Sequence, residues 1–288
     1  MILDEAYTLS NGVEIPKLAL GTWLIDNAQT AAAVKAAINM GYRHIDTAQA
    51  YGNEQGVGEG VRVSGIQRDK IFITSKVAAE HKSYQSAAAS IDTTLKTMGL
   101  DYIDMMIIHS PQPWKEVNQS DNRYLEENRE VWSALEDALE AGKLRAIGVS
   151  NFLIGDIKNI LNNCKIRPMV NQILAHVTNT PFELIDYCQS NDIVVEAYSP
   201  IAHGEALKNR EIAAMAEKYK VSAAQLCIRY DLQLGMVVLP KTSNPERMKS
   251  NSQLDFVITD EDMESLKKME RIKDYGDSSF FPVFGGKM

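Results

Sequence analysis

The chain has 288 residues, 45% hydrophobic and 24% charged, with a formal net charge of −8. Such a composition supports a large core of ordinary soluble type, and the length suits two average domains or one large α/β barrel. The acidic balance argues against nucleic acid and anionic membrane as partners, which need a basic surface, and no run approaches the ~18 apolar residues of a membrane span.

In chain order, the opening MILDEAYTLSNG carries acids and no apolar run, and does not read as a secretory leader. Residues 7–16, turning at Asn11-Gly12, predict a small β-hairpin. Strands are then predicted at 17–23, 43–48, 71–77, 102–109, 146–151, 168–173, 193–200 and 236–241. Helical patterning fills the intervals, for example at 28–41, 83–99, 129–142 and 209–220. The first three of these helices run into Gly41, Gly99 and Gly142, as C-terminal caps often do. The three cysteines, Cys164, Cys188 and Cys227, are widely spaced among apolar residues and form no CxxC pair. They read as buried reduced thiols, and a cytoplasmic setting is expected.

Strand followed by helix, eight times over, predicts parallel βαβ units and a (β/α)8 TIM barrel as one domain over 1–288. The competing doubly wound sheet announces its nucleotide site with G-x-G-x-x-G after the first strand. Here that motif is missing, and the glycines of YGNEQGVGEG have the wrong spacing.

In such barrels the site lies at the C-terminal ends of the strands. Those ends carry Asp46, Lys76, His109, Ser150, Asn151, Gln172, Tyr198 and Lys241, while the preceding positions are mostly apolar. Taken singly, Asp46 reads equally well as a helix cap, and His109 or Lys76 as structural. Together, at one rim, they read as a site. Tyr51 follows Asp46 by five residues. A phenol ionises near ~10, and a nearby ammonium lowers that value. Asp46 is therefore expected to hold Lys76 charged and aimed at Tyr51, with His109 donating a hydrogen bond to a carbonyl oxygen, a set suited to protonating an oxygen that gains charge on reduction.

These residues also carry a family resemblance. The segment GYRHIDTAQAYGNE resembles the aldo-keto reductase signature, with Asp46 and Tyr51 at its catalytic positions. ITSK supplies Lys76 and IIHSP supplies His109; LALGTW, GVSNF, NQ, AYSP and PKTSNPER follow in family order, the matches spanning residues 18 to about 251. The resemblance implies an NADPH-dependent reductase acting on a small-molecule carbonyl, a monomer without a metal, with its cofactor extended across the barrel mouth. It implies Tyr198 stacked on the nicotinamide, with Ser150, Asn151 and Gln172 on the carboxamide. Thr22 and Asp46 are implied near the ribose, and Ser199, Pro200 and Ile201 at the pyrophosphate. Lys241, Thr242, Ser243, Arg247 and Asn251 are implied around the 2′-phosphate and adenine. The helix starting at NPER would add free N–H groups favouring an anion, although Lys241 and Arg247 also fit a plain solvated surface.

Departures from the family pattern fall near the substrate. Ser110 stands where relatives often place Trp, Ala78 where many have an aromatic residue, and NQILAHVTNTP lacks the N-Q-x-E-Y-H-P run. An open pocket is expected, with Trp23, Trp114 and Phe280 or Phe281 as candidate apolar walls, and with only small covering loops after Arg271. The alternative function is a non-catalytic nucleotide-binding regulatory subunit on the same barrel. A zinc hydrolase is disfavoured because His44, His81, His109, His176 and His203 are scattered, and a Schiff-base aldolase built on Lys76 leaves the cofactor-like motifs without a role.

Overall fold

The computed structural model describes residues 1–287. Strands β1 (Ala6–Thr8) and β2 (Glu14–Pro16) form the antiparallel hairpin, with Gly12 at φ +85° in its turn. Asn11 Nδ2 donates to the carbonyl of Arg145, and His44 Nδ1 lies 3.3 Å from the carbonyl of Pro16. Both contacts are at strand beginnings, so the hairpin covers the barrel end opposite the strand C-termini.

Eight strands follow: β3 (Leu20–Gly21), β4 (His44–Asp46), β5 (Phe72–Val77), β6 (Ile103–Ile108), β7 (Leu144–Ser150), β8 (Val170–Leu174), β9 (Val194–Tyr198) and β10 (Val237–Leu239). Each pairs in parallel with its sequence neighbour. Closure between first and last rests on main-chain bonds: Val238 N to Lys17 O at 2.9 Å, Ala19 N to Val238 O at 3.0 Å and Gly21 N to Pro240 O at 3.1 Å. The first strand is shorter than the 17–23 predicted. Much of its pairing survives as isolated parallel bridges, Leu18 with Val238 and Gly21 with Lys241. A side chain at Gly21 would meet Leu239 O at 3.3 Å, so a glycine is what lets the seam close this tightly. Strands β5 and β6 are buried along their whole length, as parallel strands covered on both faces must be.

Helices α1 (Asn27–Asn39), α2 (Glu54–Arg62), α3 (Tyr84–Met98), α4 (Leu125–Glu140), α5 (Ile154–Leu161) and α6 (Phe182–Gln189) lie between successive strands from β3 to β9. Two helices, α7 (Arg210–Lys218) and α8 (Ala223–Gln233), join β9 to β10, and α9 (Pro245–Ser252) and α10 (Asp260–Lys267) follow. Gly99 ends α3 in the left-handed conformation, and Gly41 and Gly142 take positive φ just beyond α1 and α4, as the capping pattern predicts. Among the described residues no helix is long and apolar enough to cross a membrane.

The glycine run in α2 serves packing. A Cβ on Gly56 would fall 2.7 Å from Asn27 O, one on Gly60 2.7 Å from Val34 Cβ, and one on Gly58 2.0 Å from Met98 O. These residues let α2 nest against α1 and the end of α3. Gly58→Ala should therefore destabilise by about 1–3 kcal/mol, overpacking outweighing the helix propensity gained. Gly155→Ala, at an exposed position in α5 with open space around it, should instead be neutral or gain up to about 1 kcal/mol. Urea midpoints that move alike in both variants would contradict this packing account.

Candidate active site

Asp46 ends β4, Lys76 lies near the end of β5, and His109 follows β6, all buried. Lys76 Nζ donates to Asp46 Oδ1 at 2.8 Å, Asp46 Oδ2 at 2.7 Å and the Thr47 carbonyl at 2.8 Å. An ammonium has three protons, so all three are spent. Tyr51 closes a short 3-10 turn (Gln49–Tyr51) just after β4, which brings its ring over Lys76, with Nζ 5.0 Å from the ring centroid. Across from it stands His109, ring centroids 5.6 Å apart and planes at 73°. Side chains the sequence reading did not single out pin the turn. Gln49 accepts from Ala78 N at 2.8 Å and donates to Ser90 and Thr94. Asn53 donates to the carbonyls of Thr22 and Ile25 and accepts from Thr47 Oγ1. Both belong to the same 41–54 segment as Asp46 and Tyr51, and their polarity beside a buried strand end was the available signal.

The electrostatics differ from the expectation in one respect. Tyr51 keeps part of its surface open, yet its phenol is pushed well above the usual range, first by desolvation and then by the charge of Asp46. The ammonium of Lys76 faces the ring with its protons committed to Asp46 and Thr47, and burial together with Asp46 outweighs its pull. The resting phenol therefore holds its proton. Burial, and then the nearby Lys76 charge, hold the pKa of His109 well below the usual imidazole value, so the ring is neutral, and its buried Nδ1 has no hydrogen-bond partner among the described residues.

Residues from β7, β8 and β9 complete one connected rim. Ser150 Oγ donates to Gln172 O at 2.9 Å, and Asn151 Nδ2 donates to His109 O and to Ser150 Oγ, each at 3.0 Å. Tyr198 Oη donates to Asn151 Oδ1 at 2.7 Å, and Thr22 Oγ1 donates to Asp46 O at 3.0 Å. Gln172 Nε2 donates to Asp46 Oδ1 and to Glu196 Oε2, both at 2.8 Å. Only an amide NH2 can serve two acid oxygens, so the carbonyl oxygen of Gln172 is left for other partners. Asn151 takes φ +60° and Ser199 φ +54°, conformations that cost a non-glycine residue energy and often mark functional sites.

The second group of predicted residues lies further along the same end. Ser199 Oγ is 3.2 Å from His203 Nε2, and Pro200 is buried beside Ile201. Lys241 follows β10 and bridges to Gly21, while Thr242 and Asn251 are buried and Ser243 and Arg247 exposed. The expectation of free N–H groups at the start of α9 needs correction. Asn244 Oδ1 already accepts from Glu246 N and Arg247 N, and Pro245 has no N–H to offer. What this end presents is cationic side chains, Lys241 and Arg247, with the helix dipole behind Arg247.

Aromatic rings wall the space above Tyr51 and His109. Trp114 stands edge-on to His109 at 5.0 Å between centroids, and Phe281 bridges Trp114 at 5.0 Å to Trp23 at 5.4 Å. Trp23 also meets Tyr51 at 6.5 Å. Ser110 is buried, its carbonyl accepting from Lys82 Nζ, and Trp114 supplies bulk beside His109. The segment after Arg271 does more than expected, since Phe281 reaches the site while Phe280 points outward. Three other histidines are engaged elsewhere, His44 with Thr74, His176 with Tyr275 and Thr178, and His203 with Ser199 and Ser278.

Comparison with known proteins agrees with this geometry. Residues 17–271 match the family model described as "Aldo/keto reductase family". The chain is 40% identical to a glyoxal reductase of Bacillus subtilis, the alignment covering 97% of this chain and 99% of that protein. It is 37% identical to an aldehyde reductase of Saccharomyces cerevisiae, over 92% and 90% of the two chains. The solved structure of a Bombyx mori aldo-keto reductase in complex with NADP superposes with a TM-score of 0.86 at 33% identity, covering 97% of this chain and 98% of that one. With Asp46, Tyr51, Lys76 and His109 gathered at a barrel rim and a family model spanning nearly the whole barrel, the chain belongs to the aldo/keto reductase family.

Proposed function

We propose that the protein reduces a small carbonyl compound, such as an aldehyde or dicarbonyl, to an alcohol using NADPH, with Tyr51 as the proton donor. The observation that carries this reading is a protonated phenol over a saturated Lys76–Asp46 pair, facing a neutral imidazole. Bound reduced nicotinamide supplies a hydride. His109, uncharged, offers an N–H to the substrate oxygen and orients it. As that oxygen gains negative charge it becomes a far stronger base than a ground-state carbonyl, and Tyr51 gives up its proton. Lys76 then faces a phenolate whose charge it stabilises, which it could not do before the proton moved.

The fit to the cofactor is chemical. The carbonyl oxygen of Gln172 suits a carboxamide NH2, Ser150 and Asn151 supply donors beside it, and Tyr198 supplies a ring for stacking. Lys241 and Arg247 suit a phosphate on an otherwise acidic protein. The NADP complex of the Bombyx mori relative supports NADP(H), and the names of the Bacillus subtilis and yeast relatives support a small aldehyde or glyoxal-like substrate. Trp23, Trp114 and Phe281 favour a compact neutral substrate over a strongly anionic one.

Tyr51→Phe keeps the ring and removes the proton donor, so kcat should fall by about 10²–10⁴-fold while NADPH affinity persists. Lys76→Met should also be severe, and the double variant should lose far less than the product of the two, because the residues act as one unit. Near-native turnover by Tyr51→Phe enzyme would refute the assignment. Arg247→Ala should weaken NADPH binding by about tenfold or more, on the scale of a charged hydrogen bond, with NADH binding little changed. The difference should shrink in high salt, and equal losses for the two cofactors would mean that Arg247 does not read the phosphate.

A further inference from the structure

Glu196 sits mid-strand in β9, fully buried, two residues before Tyr198 and therefore on the same face of the strand. Its Oε2 accepts from the Gln172 Nε2 that also donates to Asp46, whereas its Oε1 has no hydrogen-bond partner among the described residues. The groups facing it come from several strands: Gln172 from β8, Asp46 and His44 from β4, and Lys76 from β5. Its register partner on β10 is the apolar Val237. His44 Nε2 is 3.9 Å from Oε1 but already bonds Thr74 Oγ1 at 2.9 Å, and its Nδ1 lies against Pro16 O. Among the described residues no cation bonds Glu196, because Lys76 is spent on Asp46 and Thr47.

Charge can be counted from these contacts. Asp46 and Lys76 cancel, and burial draws His44 down to about 4, so it is neutral. An ionised Glu196 would leave one uncompensated negative charge in the dry barrel, which is costly. Burial first, then the charge of Asp46, push its carboxyl up to about 8, so it carries a proton at neutral pH and can release it in mild alkali. An acidic residue in an otherwise apolar strand run, IVVEAY, was the sequence signal for it.

We propose that Glu196 is a proton-controlled charge behind the nicotinamide site that biases the protein between reduced and oxidised cofactor. This rests on the cofactor reading above. With its proton, Glu196 leaves the surroundings uncharged and suits the uncharged ring of NADPH. Without it, the carboxylate favours the cationic ring of NADP+, and Gln172 couples the two sites by contact. By linkage, binding of NADP+ draws the proton off Glu196, while binding of NADPH does not. At neutral pH the neutral acid thus assists both capture of the reduced cofactor and release of the oxidised one.

The test uses the whole protein and its tryptophan fluorescence, titrated with NADP+ and NADPH at about pH 6.5 and about pH 9.5, on either side of the transition. The ratio of Kd for NADP+ to Kd for NADPH should fall about fivefold or more as pH rises, the scale of one partly screened charge. In E196Q that ratio should stay constant. Ionisation of the 2′-phosphate affects both nucleotides and cancels in the ratio. Calorimetry of the wild-type protein gives a variant-free check: NADP+ binding near pH 7, in two buffers of different ionisation enthalpy, should release more protons than NADPH binding. A pH-independent ratio in the wild type, an E196Q ratio that moves equally, or identical proton release for the two nucleotides overturns the proposal while leaving the cofactor reading intact. Failure to bind either nucleotide overturns both.

Discussion

A lysine ammonium with none of its side chain exposed can persist only if every proton finds an acceptor, and Lys76 finds three. Much of the site depends on that requirement. Asp46 must turn inward at the end of β4, Thr47 must present its carbonyl, and the chain must then leave the strand in the short turn that delivers Tyr51. The same carboxylate accepts from Gln172, which carries the constraint across the barrel to β8 and β9. Replacing one partner of such a pair would strand a buried charge, so the ion pair is better understood as specifying geometry than as adding stability.

The paired charges also set the working state of the phenol. Because burial and the charge of Asp46 outweigh the pull of Lys76, the resting Tyr51 is a poor acid that keeps its proton, and reactivity waits for charge to develop on the substrate. This is differential stabilisation: the ammonium contributes more after proton transfer than before. The neutral His109 fits the same logic, since an imidazolium next to Lys76 would add like-charge repulsion in a dry site.

Several non-glycine residues at the rim hold a left-handed backbone. Asn151, Ser199, Ala202 and His203 all take positive φ, and all lie on the loops that leave β7 and β9. His203 is held between Ser199 and Ser278 and packs on Trp23 and Phe284. One half-buried ring thus ties the segment expected at the pyrophosphate to the C-terminal stretch that walls the substrate space, so the two sides of the mouth are mechanically joined.

Alternating periodicity and glycine stops are local properties, so eight strand–helix units, the hairpin at Asn11-Gly12 and the caps at Gly41 and Gly99 were readable without coordinates. The same holds for Asp46 and Tyr51, which covalent proximity keeps on one strand end, and for the rim positions that a parallel barrel must gather. Barrel closure decided the rest. It set Gln172 against Asp46 across 126 residues of sequence, seated Phe281 between Trp23 and Trp114, and buried the Tyr51 phenol beside Asp46 so that its pKa rises where a nearby ammonium alone would lower it. It also turned an acid within an apolar run, Glu196, into a partner of the site. These outcomes depend on which acceptors and rings come within a few ångströms once distant strands meet, and strand periodicity carries no record of that.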